Sequence, residues 1–480
     1  MLGWFLVVIL IVFGSITEPA ADTSCVVEAD HPLIGEARWY GLYFEDRKIG
    51  HATTAMAIEK PADPDITSNV IVQRFAMTFK LEKTEETIEQ TRRFDAKPPH
   101  RLLDGAFTTA DRQITYQQRD HALEMKEDGL IRAWPGLERH LCDEEDIAVH
   151  RFLTSNPPIG ARLETIDFDV EQQVLASSTH DLDDISRRKI LGASHLFQTL
   201  RTESSSDVFS YVAKARFQNG EAVNLFVGPI ELRAETQAIA HQPNQGVDLF
   251  AEFEKPLNRP LARLAAVRSL SLKATIDDEA MTIRDVVQDS FGQRVEYLDH
   301  QTAMIHLSDQ PALDDRADFE RFRRATSTHP ADHPRIRSLV DEIKGTLETT
   351  ADDRTLAEAM IRFVADFIEI VPESPYHYHT TSVFDILDNR TGDCTEHSQL
   401  FVTLARAAGL AAREVSGFVY GGNDQTPSLG GHAWVEVLID GRWIGMDPTW
   451  EEVRLNKSHV QTRGMLVPSL AFEVIEIEYY

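Results

Sequence analysis

Most of the first 230 residues show a loose alternation of apolar and polar positions. The alternation is clearest in residues 69–83 and 208–232, and turn-forming residues such as Asn219-Gly220 separate the runs. A period of two residues is typical of half-buried antiparallel strands, whose side chains point alternately to opposite faces. Residues 37–233 are therefore predicted to be mainly β, with a more helical and polar patch at residues 181–202.

A second β-rich stretch covers residues 267–307, and its segment 270–276 alternates cleanly. These regions contain no repeat of fixed length, no metal-type spacing of cysteine and histidine, and no glycine-rich phosphate loop. We interpret residues 26–265 as a β-rich N-terminal region and residues 266–330 as a small β-rich domain with a linker. Their pattern does not indicate what they bind.

The pattern becomes helical after Pro311. Residues 334–347 and 354–370 both have the apolar spacing of amphipathic helices. A proline- and tyrosine-containing loop follows, and a further helix is predicted to open near Cys394 and to stop at Gly409. Residues 335–480 are therefore predicted to be a separate domain that combines helices with strands.

Two strands and a tight turn are predicted after that helix. Residues 412–420 and 432–439 read as strands, and Asp440-Gly441 is a strong two-residue hairpin turn. If Ile439 pairs with Arg442, counting outward places Asp447 opposite Trp434 and diagonal to His432, on the same face. Diagonal Cα atoms lie about 7–8 Å apart, so Asp447 is expected to reach the ring of His432.

Cys394 falls at the N-terminus of its predicted helix. Free amide groups and the positive end of the helix dipole stabilise a thiolate there. A nucleophilic cysteine needs a base, and the base needs an orienting group. We therefore predict a Cys394–His432–Asp447 triad. Each residue also has a structural alternative. Cys394 would be a buried structural thiol, His432 a core histidine, and Asp447 a turn residue before Pro448. His397 is a rival base.

Three motifs resemble those of the transglutaminase-like superfamily. Residues 390–398 are similar to its nucleophile motif, residues 431–437 to its histidine motif and residues 447–450 to its aspartate motif, in family order. The resemblance covers residues 335–480 and implies a papain-like α+β fold with acyl transfer through a thioester. It also implies an upstream oxyanion donor, for which Tyr376 and Tyr378 are the candidates.

The leading hypothesis is a cysteine enzyme that acts on protein or peptide amides. Hydrolysis, as a protease or deamidase, is favoured over crosslinking because water is the default acceptor of a thioester. The alternative is a non-catalytic binding or assembly protein of the cell envelope, with the β-rich domains as recognition elements. No cofactor is predicted. No twelve-residue calcium loop supports a calcium site, although the acidity leaves one open.

Charge and cysteine content bear on partners and location. The formal net charge of −29 disfavours a nucleic-acid partner. Residues 2–13 form an apolar run of signal-peptide length, so residues 1–21 are predicted to be an export signal, or else an anchor that would provide the membrane association. Cys25 and Cys142 either pair in an oxidising compartment and leave Cys394 free, or all three thiols are unpaired.

Overall fold

The structure is a computed structural model whose described residues fall into two compact units. The described ranges are 26–44, 46–60, 68–81, 84–110, 112–127, 129–171, 173–190, 193–206, 210–244, 254–277, 281–308, 319–326, 328–348, 350–370, 382–422, 425–463 and 469–480. Strands hold 50% of the described residues and helices 20%, and the large sheets are antiparallel. Within these ranges, no helix has both the length and the apolarity that crossing a membrane requires.

The N-terminal unit, which ends at residue 248, is built on one antiparallel sheet. The sheet is two meanders joined edge to edge, in the order β8-β7-β6-β5-β4-β3-β2-β1-β14-β13-β12-β11-β10-β9. Its strands are β1 (Arg38–Phe44), β2 (Arg47–Glu59), β3 (Val70–Leu81), β4 (Thr84–Asp95), β5 (Leu102–Thr108), β6 (Gln113–Arg119), β7 (Ala122–Glu127), β8 (Leu130–Pro135), β9 (Arg162–Asp169), β10 (Val174–Ile190), β11 (Ala193–Ser206), β12 (Ser210–Gln218), β13 (Glu221–Val227) and β14 (Ile230–Glu235).

In the described part of this unit, the sheet is accompanied by helices α1 (Glu145–Thr154) and α2 (Gln237–Ala240) and by a 3-10 turn at Leu141–Asp143. Helix α1 packs its apolar side chains Val149 and Leu153 against Leu182 and Leu200 of the sheet. This contact buries apolar area from both elements, which is the main stabilisation available to an amphipathic helix on a sheet.

The prediction of a helical patch at residues 181–202 is wrong, because residues 181–190 and 193–202 belong to the paired strands β10 and β11. Leu182 pairs with Leu200 across the strands, and both are buried. Polar side chains on the same strands bond to each other, as His180 Nδ1 does with Thr202 Oγ1 at 2.8 Å. Since those polar groups are buried and satisfied in pairs, the apolar alternation that reveals a strand is hidden in the sequence.

The C-terminal unit spans residues 249–480, and its described residues form a helical layer and three sheets. One sheet runs β15-β22-β21-β24 with β23 paired to β22, a second runs β17-β18-β16-β25, and β19 pairs with β20. The strands are β15 (Lys255–Pro256), β16 (Val267–Ile276), β17 (Gln293–Tyr297), β18 (Thr302–Leu307), β19 (Glu369–Ile370), β20 (Thr391–Gly392), β21 (Ala412–Tyr420), β22 (Ser428–Ile439), β23 (Arg442–Met446), β24 (Val460–Gln461) and β25 (Leu470–Tyr479).

The helices of this unit are α3 (Ile283–Val286), α4 (Pro334–Gly345), α5 (Asp353–Phe367), α6 (Val383–Asn389) and α7 (Cys394–Ala407), with 3-10 turns at Leu264–Ala266 and Phe319–Arg323. Helices α4 to α7 share one buried core with strand β22. The predictions of helices at residues 334–347 and 354–370, and of a helix that opens at Cys394, are confirmed.

The division of the chain differs from the one drawn from sequence, which separated residues 266–330 from residues 335–480. Strand β16 pairs along its length with β25, so that Ala274 faces Phe472 across the sheet. The stretch predicted to be a small domain is therefore part of the same compact unit as the C-terminal strand, and the unit begins near residue 249. The partner strand lies about two hundred residues away, beyond the reach of a local pattern.

Candidate active site

Cys394 occupies the first position of helix α7 because the residues before it cap that helix. Asp393 Oδ1 accepts the amide of Thr395 at 2.7 Å, and Glu396 Oε2 accepts the amide of Asp393 at 2.8 Å, which is a capping box. A Cβ at Gly392 would lie 2.5 Å from Glu396 Cβ, so only glycine permits this close turn. The helix start therefore fixes the thiol at the positive end of the dipole.

His432 and Asp447 are brought together by the β22–β23 hairpin. Ile439 pairs with Arg442 and Val435 with Met446, which confirms the register counted from the turn. Strand β23 ends at Met446, and Asp447 pairs instead with Glu452 in an isolated bridge. The result is a hydrogen bond of 2.7 Å between His432 Nε2 and Asp447 Oδ2, with the carboxylate fully buried.

Cys394 hydrogen-bonds to the same imidazole. The imidazole that Asp447 engages through Nε2 is therefore also the one that faces Cys394. Burial lowers the pKa of His432, but the negative charge of Cys394 and the bond to Asp447 outweigh burial and raise that pKa to about 10. The surroundings of His432 therefore favour the protonated, imidazolium form of its ring.

Asp447 is held by three donors rather than by His432 alone. Its Oδ1 accepts the amide of Thr449 at 2.9 Å, and its Oδ2 also lies 3.3 Å from Nε2 of His459. Burial raises the pKa of Asp447, but the bonds from His432 and His459 dominate and hold that pKa well below its usual range. The carboxylate therefore stays ionised beside its histidine.

His459 is a site residue that the sequence reasoning missed. It is buried and precedes the two-residue strand β24, outside every motif that carried the family resemblance. A histidine next to a short strand gives no local signal of this contact, because the contact depends on a strand pairing far along the chain.

Trp450 also lies against His432. Trp434 and Trp443 are buried, but Trp450 is 45% exposed. Its ring stacks on His432 with centroids 4.4 Å apart and planes at 8°. An exposed aromatic ring that covers one face of the imidazole is suited both to shielding it and to contacting a substrate.

His397, the rival base, turns away from the thiol. It is buried, and its Nδ1 bonds the carbonyl of Asp393 at 2.6 Å within its own helix. Burial lowers its pKa. The contact with Cys394 belongs to His432, so His397 is a local packing residue. The oxyanion candidates Tyr376 and Tyr378 lie outside the described residues and stay predictions.

Among the residues that the structure describes, one group of side chains is close enough to share a metal ion. Ligand atoms of His432, Asp447 and His459 lie within 4.8 Å of one another. Each imidazole already bonds the carboxylate through Nε2. The hydrogen bonds account for this convergence, so we interpret the group as a proton-holding network rather than as a metal centre.

The two cysteines within the described residues differ in state. Cys142 is disulfide-bonded, whereas Cys394 is a free thiol. Cys25 lies outside the described residues, so its predicted pairing with Cys142 stays a prediction. A free thiol at Cys394 is the state that nucleophilic chemistry requires.

Comparison with known proteins assigns the C-terminal domain. The model of the transglutaminase-like superfamily matches residues 337–448. A protein-glutamine gamma-glutamyltransferase of Pseudomonas aeruginosa is 29% identical over 129 residues, which cover 25% of this chain and 19% of that protein. The chain thus matches about a fifth of that relative's length.

Two solved structures are similar at lower identity. One, a proposed cysteine protease from Cytophaga hutchinsonii, has 15% identity and a TM-score of 0.26, covering 45% of this chain and 86% of that one. The other is a TGase with 16% identity and a TM-score of 0.19, covering 35% of this chain and 45% of that one. Residues 337–448 form a transglutaminase-like domain, and His459 lies beyond the matched range.

Proposed function

We propose that this protein is an exported cysteine enzyme that breaks amide bonds of proteins or peptides through a thioester on Cys394. The proposal is carried by one observation, the unbroken chain of contacts from Cys394 to His432 to Asp447 at the start of helix α7. The transglutaminase-like domain supports this chemistry class. The catalytic roles of the three residues are part of the proposal.

In the first step, the thiolate of Cys394 attacks the carbonyl carbon of a substrate amide. A carbon–sulfur bond forms, and the carbonyl electron pair moves onto oxygen. Asp393 caps the amides of Thr395 and Glu396, so the amide of Cys394 itself is the first-turn donor proposed to stabilise that oxyanion.

In the second step, the imidazolium of His432 gives its proton to the amide nitrogen. The carbon–nitrogen bond breaks, ammonia or an amine leaves, and the acyl group stays on sulfur as a thioester. Neutral His432 then takes a proton from the attacking water. The carbon–sulfur bond breaks, an acid leaves, and the thiolate–imidazolium pair is restored. Asp447 stabilises the imidazolium in both halves.

Hydrolysis is the favoured outcome, because water reaches a thioester unless the site excludes it. The relative from Pseudomonas aeruginosa is named for glutamyl transfer, so transfer to an amine is the outcome to test against hydrolysis. Both outcomes share the first two steps, and they differ only in which nucleophile resolves the thioester.

Export rests on two observations. Residues 2–13 are an apolar run of signal-peptide length. The disulfide at Cys142 supports an oxidising compartment, since disulfides rarely persist in the cytosol. Cleavage of the signal would appear as a mature N-terminus near residue 21 in mass spectra of the protein recovered from the cell exterior.

Alkylation of Cys394 with iodoacetamide tests the nucleophile without a substrate. We expect labelling at pH 6 to be at least about tenfold faster than that of a free model thiol, because a thiolate–imidazolium pair stays reactive below the range where a free thiol ionises. Cys394→Ser should abolish the labelled peptide, and His432→Ala should slow the reaction. Labelling no faster than the model thiol would contradict the proposal and favour a non-catalytic binding protein.

Substrate turnover then separates the two outcomes. A glutamine-rich protein is incubated with the enzyme, with and without a fluorescent primary amine. Ammonia release or new peptide termini without amine incorporation would support hydrolysis, whereas incorporation would support transfer. Cys394→Ser is the control for both readings.

A further inference from the structure

The carboxylate of Asp447 receives a second imidazole that the triad does not need. His459 Nε2 lies 3.3 Å from Oδ2, the same oxygen that bonds His432. Because Asp447 is ionised, it can only accept, so the hydrogen of this bond must sit on Nε2 of His459. The two histidines therefore donate to one oxygen from different directions.

Hydrogen bonds within the loop between Asp447 and His459 place the two side chains next to each other. Asp447 and Glu452 exchange both backbone hydrogen bonds, at 2.8 and 2.9 Å. Glu452 Oε1 accepts Nδ2 of Asn456 at 2.8 Å, and Asn456 Oδ1 accepts the amide of Ser458 at 2.9 Å. Hydrogen bonds thus hold the backbone between Asp447 and His459 in place. The contact between the two side chains therefore follows from the conformation of this loop.

The sheet fixes His459 from the other side. Gly417 of β21 stands between His432 of β22 and Gln461 of β24 in one row of paired residues. A Cβ at position 417 would lie 2.0 Å from the carbonyl oxygen of Val460 and 2.9 Å from the ring of Trp434. Because Gly417 has no side chain, β24 can lie close to β21.

The ring of His459 is itself packed, edge-on against Trp434 at 5.2 Å and 80°. This packing and the loop both restrict the imidazole to the orientation that points Nε2 at Asp447. The arrangement therefore gives the histidine little freedom to leave the carboxylate.

We propose that His459 is a positioning residue, which uses its Nε2–H to hold Asp447 in the orientation that receives His432. This inference rests on the proposed function of the same site. The titratable groups that face His432 are Cys394 from α7, Asp447 from the hairpin end and His459 from the segment before β24. Without the His459 donor, only the Thr449 amide and His432 itself orient Asp447, and the bond that supports the His432 imidazolium is made for a smaller fraction of the time.

A matched pair of variants tests the donor. His459→Phe keeps a ring of similar shape against Trp434 and removes the N–H, whereas His459→Gln places an amide N–H at about the same distance from the backbone. We expect His459→Phe to lower kcat about 10- to 100-fold with little change in KM, and His459→Gln to recover most of that rate. Thermal unfolding of both variants checks that they fold.

The substrate-free readout is the pH profile of Cys394 alkylation. The weaker support of the imidazolium in His459→Phe should move the pH at which His432 loses its proton downward, by about one pH unit. A merely structural role would scale the rate without moving the profile. An unchanged profile in His459→Phe, or a Gln variant as impaired as the Phe variant, would overturn the proposal. Failure of the wild type to show Cys394-dependent turnover, with the alkylation shift present, would count against the proposed function alone.

Discussion

The two compact units each bury a carboxylate between two basic side chains, and they do so with different bases. In the N-terminal unit, Glu144 bonds Arg92 through one oxygen and Arg139 through the other, and the glutamate is fully buried. In the C-terminal unit, Asp447 bonds His432 and His459. A guanidinium keeps its proton under all ordinary conditions, whereas an imidazole can give up its proton and take it back during a reaction.

The cysteines near these two carboxylates also differ in their capacity to react. Cys142, two residues before Glu144, is disulfide-bonded, whereas Cys394 is free and bonds His432. One arrangement can only hold charge in place, and the other can move a proton to and from a thiol. The comparison shows that burial of a charged cluster does not by itself mark a site, and that the chemistry of the bases decides.

The largest expected effect follows from neutralising the carboxylate that serves the imidazole. Asp447→Asn should lower kcat/KM at pH 7 by about 10³-fold or more, because the imidazolium loses its counter-charge and the ring its tautomer. The measurement is a progress curve on the substrate that the turnover assay identifies. Glu144→Gln is the matched control, and folded protein carrying it should keep the wild-type rate. Equal losses of rate in both variants would show that the two clusters do not differ in their importance for the reaction.

The next effect concerns the stability of the N-terminal unit. Arg139→Met should lower the free energy of unfolding by about 3 kcal/mol, because it leaves a fully buried glutamate with one partner fewer. Urea unfolding followed by tryptophan fluorescence measures this. The control is Arg162→Met, which removes an ion pair with Asp181 at a site where the arginine side chain is 57% exposed. That variant should lose much less stability than Arg139→Met, because the exposed pair is screened by water, and equal losses would show that burial does not set the cost.

A smaller effect is expected at Trp450, the exposed ring that stacks on the imidazole of His432. Trp450→Ala should lower kcat/KM about tenfold, because stacking on a cationic ring contributes about 1 kcal/mol and the ring also keeps water off one face of His432. Trp450→Phe should lose less, since it keeps an aromatic face. Wild-type rates in the Ala variant would show that Trp450 is a surface residue without a role in the reaction.

A feature could be predicted from the sequence when the residues that determine it are close together along the chain. The start of helix α7 at Cys394 and the pairing of His432 with Asp447 follow from a cap and a two-residue turn, which are local and were predicted. His459 reaches Asp447 only because β24 pairs with β21, and β16 finds its partner β25 at the far end of the chain. The β10–β11 hairpin was hidden for another reason, since its buried polar side chains satisfy each other across the strands.

The smallest expected effect concerns a third buried carboxyl group, that of Glu396 in the cap of helix α7. Burial, together with the charge of Asp393, raises the pKa of Glu396 to about 7. The folded protein therefore holds this proton more tightly than the unfolded chain, whose reference pKa is 4.5. Stability from this position is fully present below about pH 4.5 and is lost as the pH rises to about 7.

Glu396→Gln keeps an oxygen that can accept the amide of Asp393 and removes the titration. We expect the stability of the variant relative to wild type to rise between pH 5 and pH 7.5 by on the order of 1 kcal/mol, measured by urea unfolding at each pH. Glu396→Ala separates the cap from the charge, because it should be less stable than the Gln variant at every pH. A difference between Gln variant and wild type that stays flat across this range would show that the carboxyl group is ionised throughout. In that case Glu396 would resemble Glu144, a fixed charge held by its partners, rather than a group that responds to pH beside the thiol.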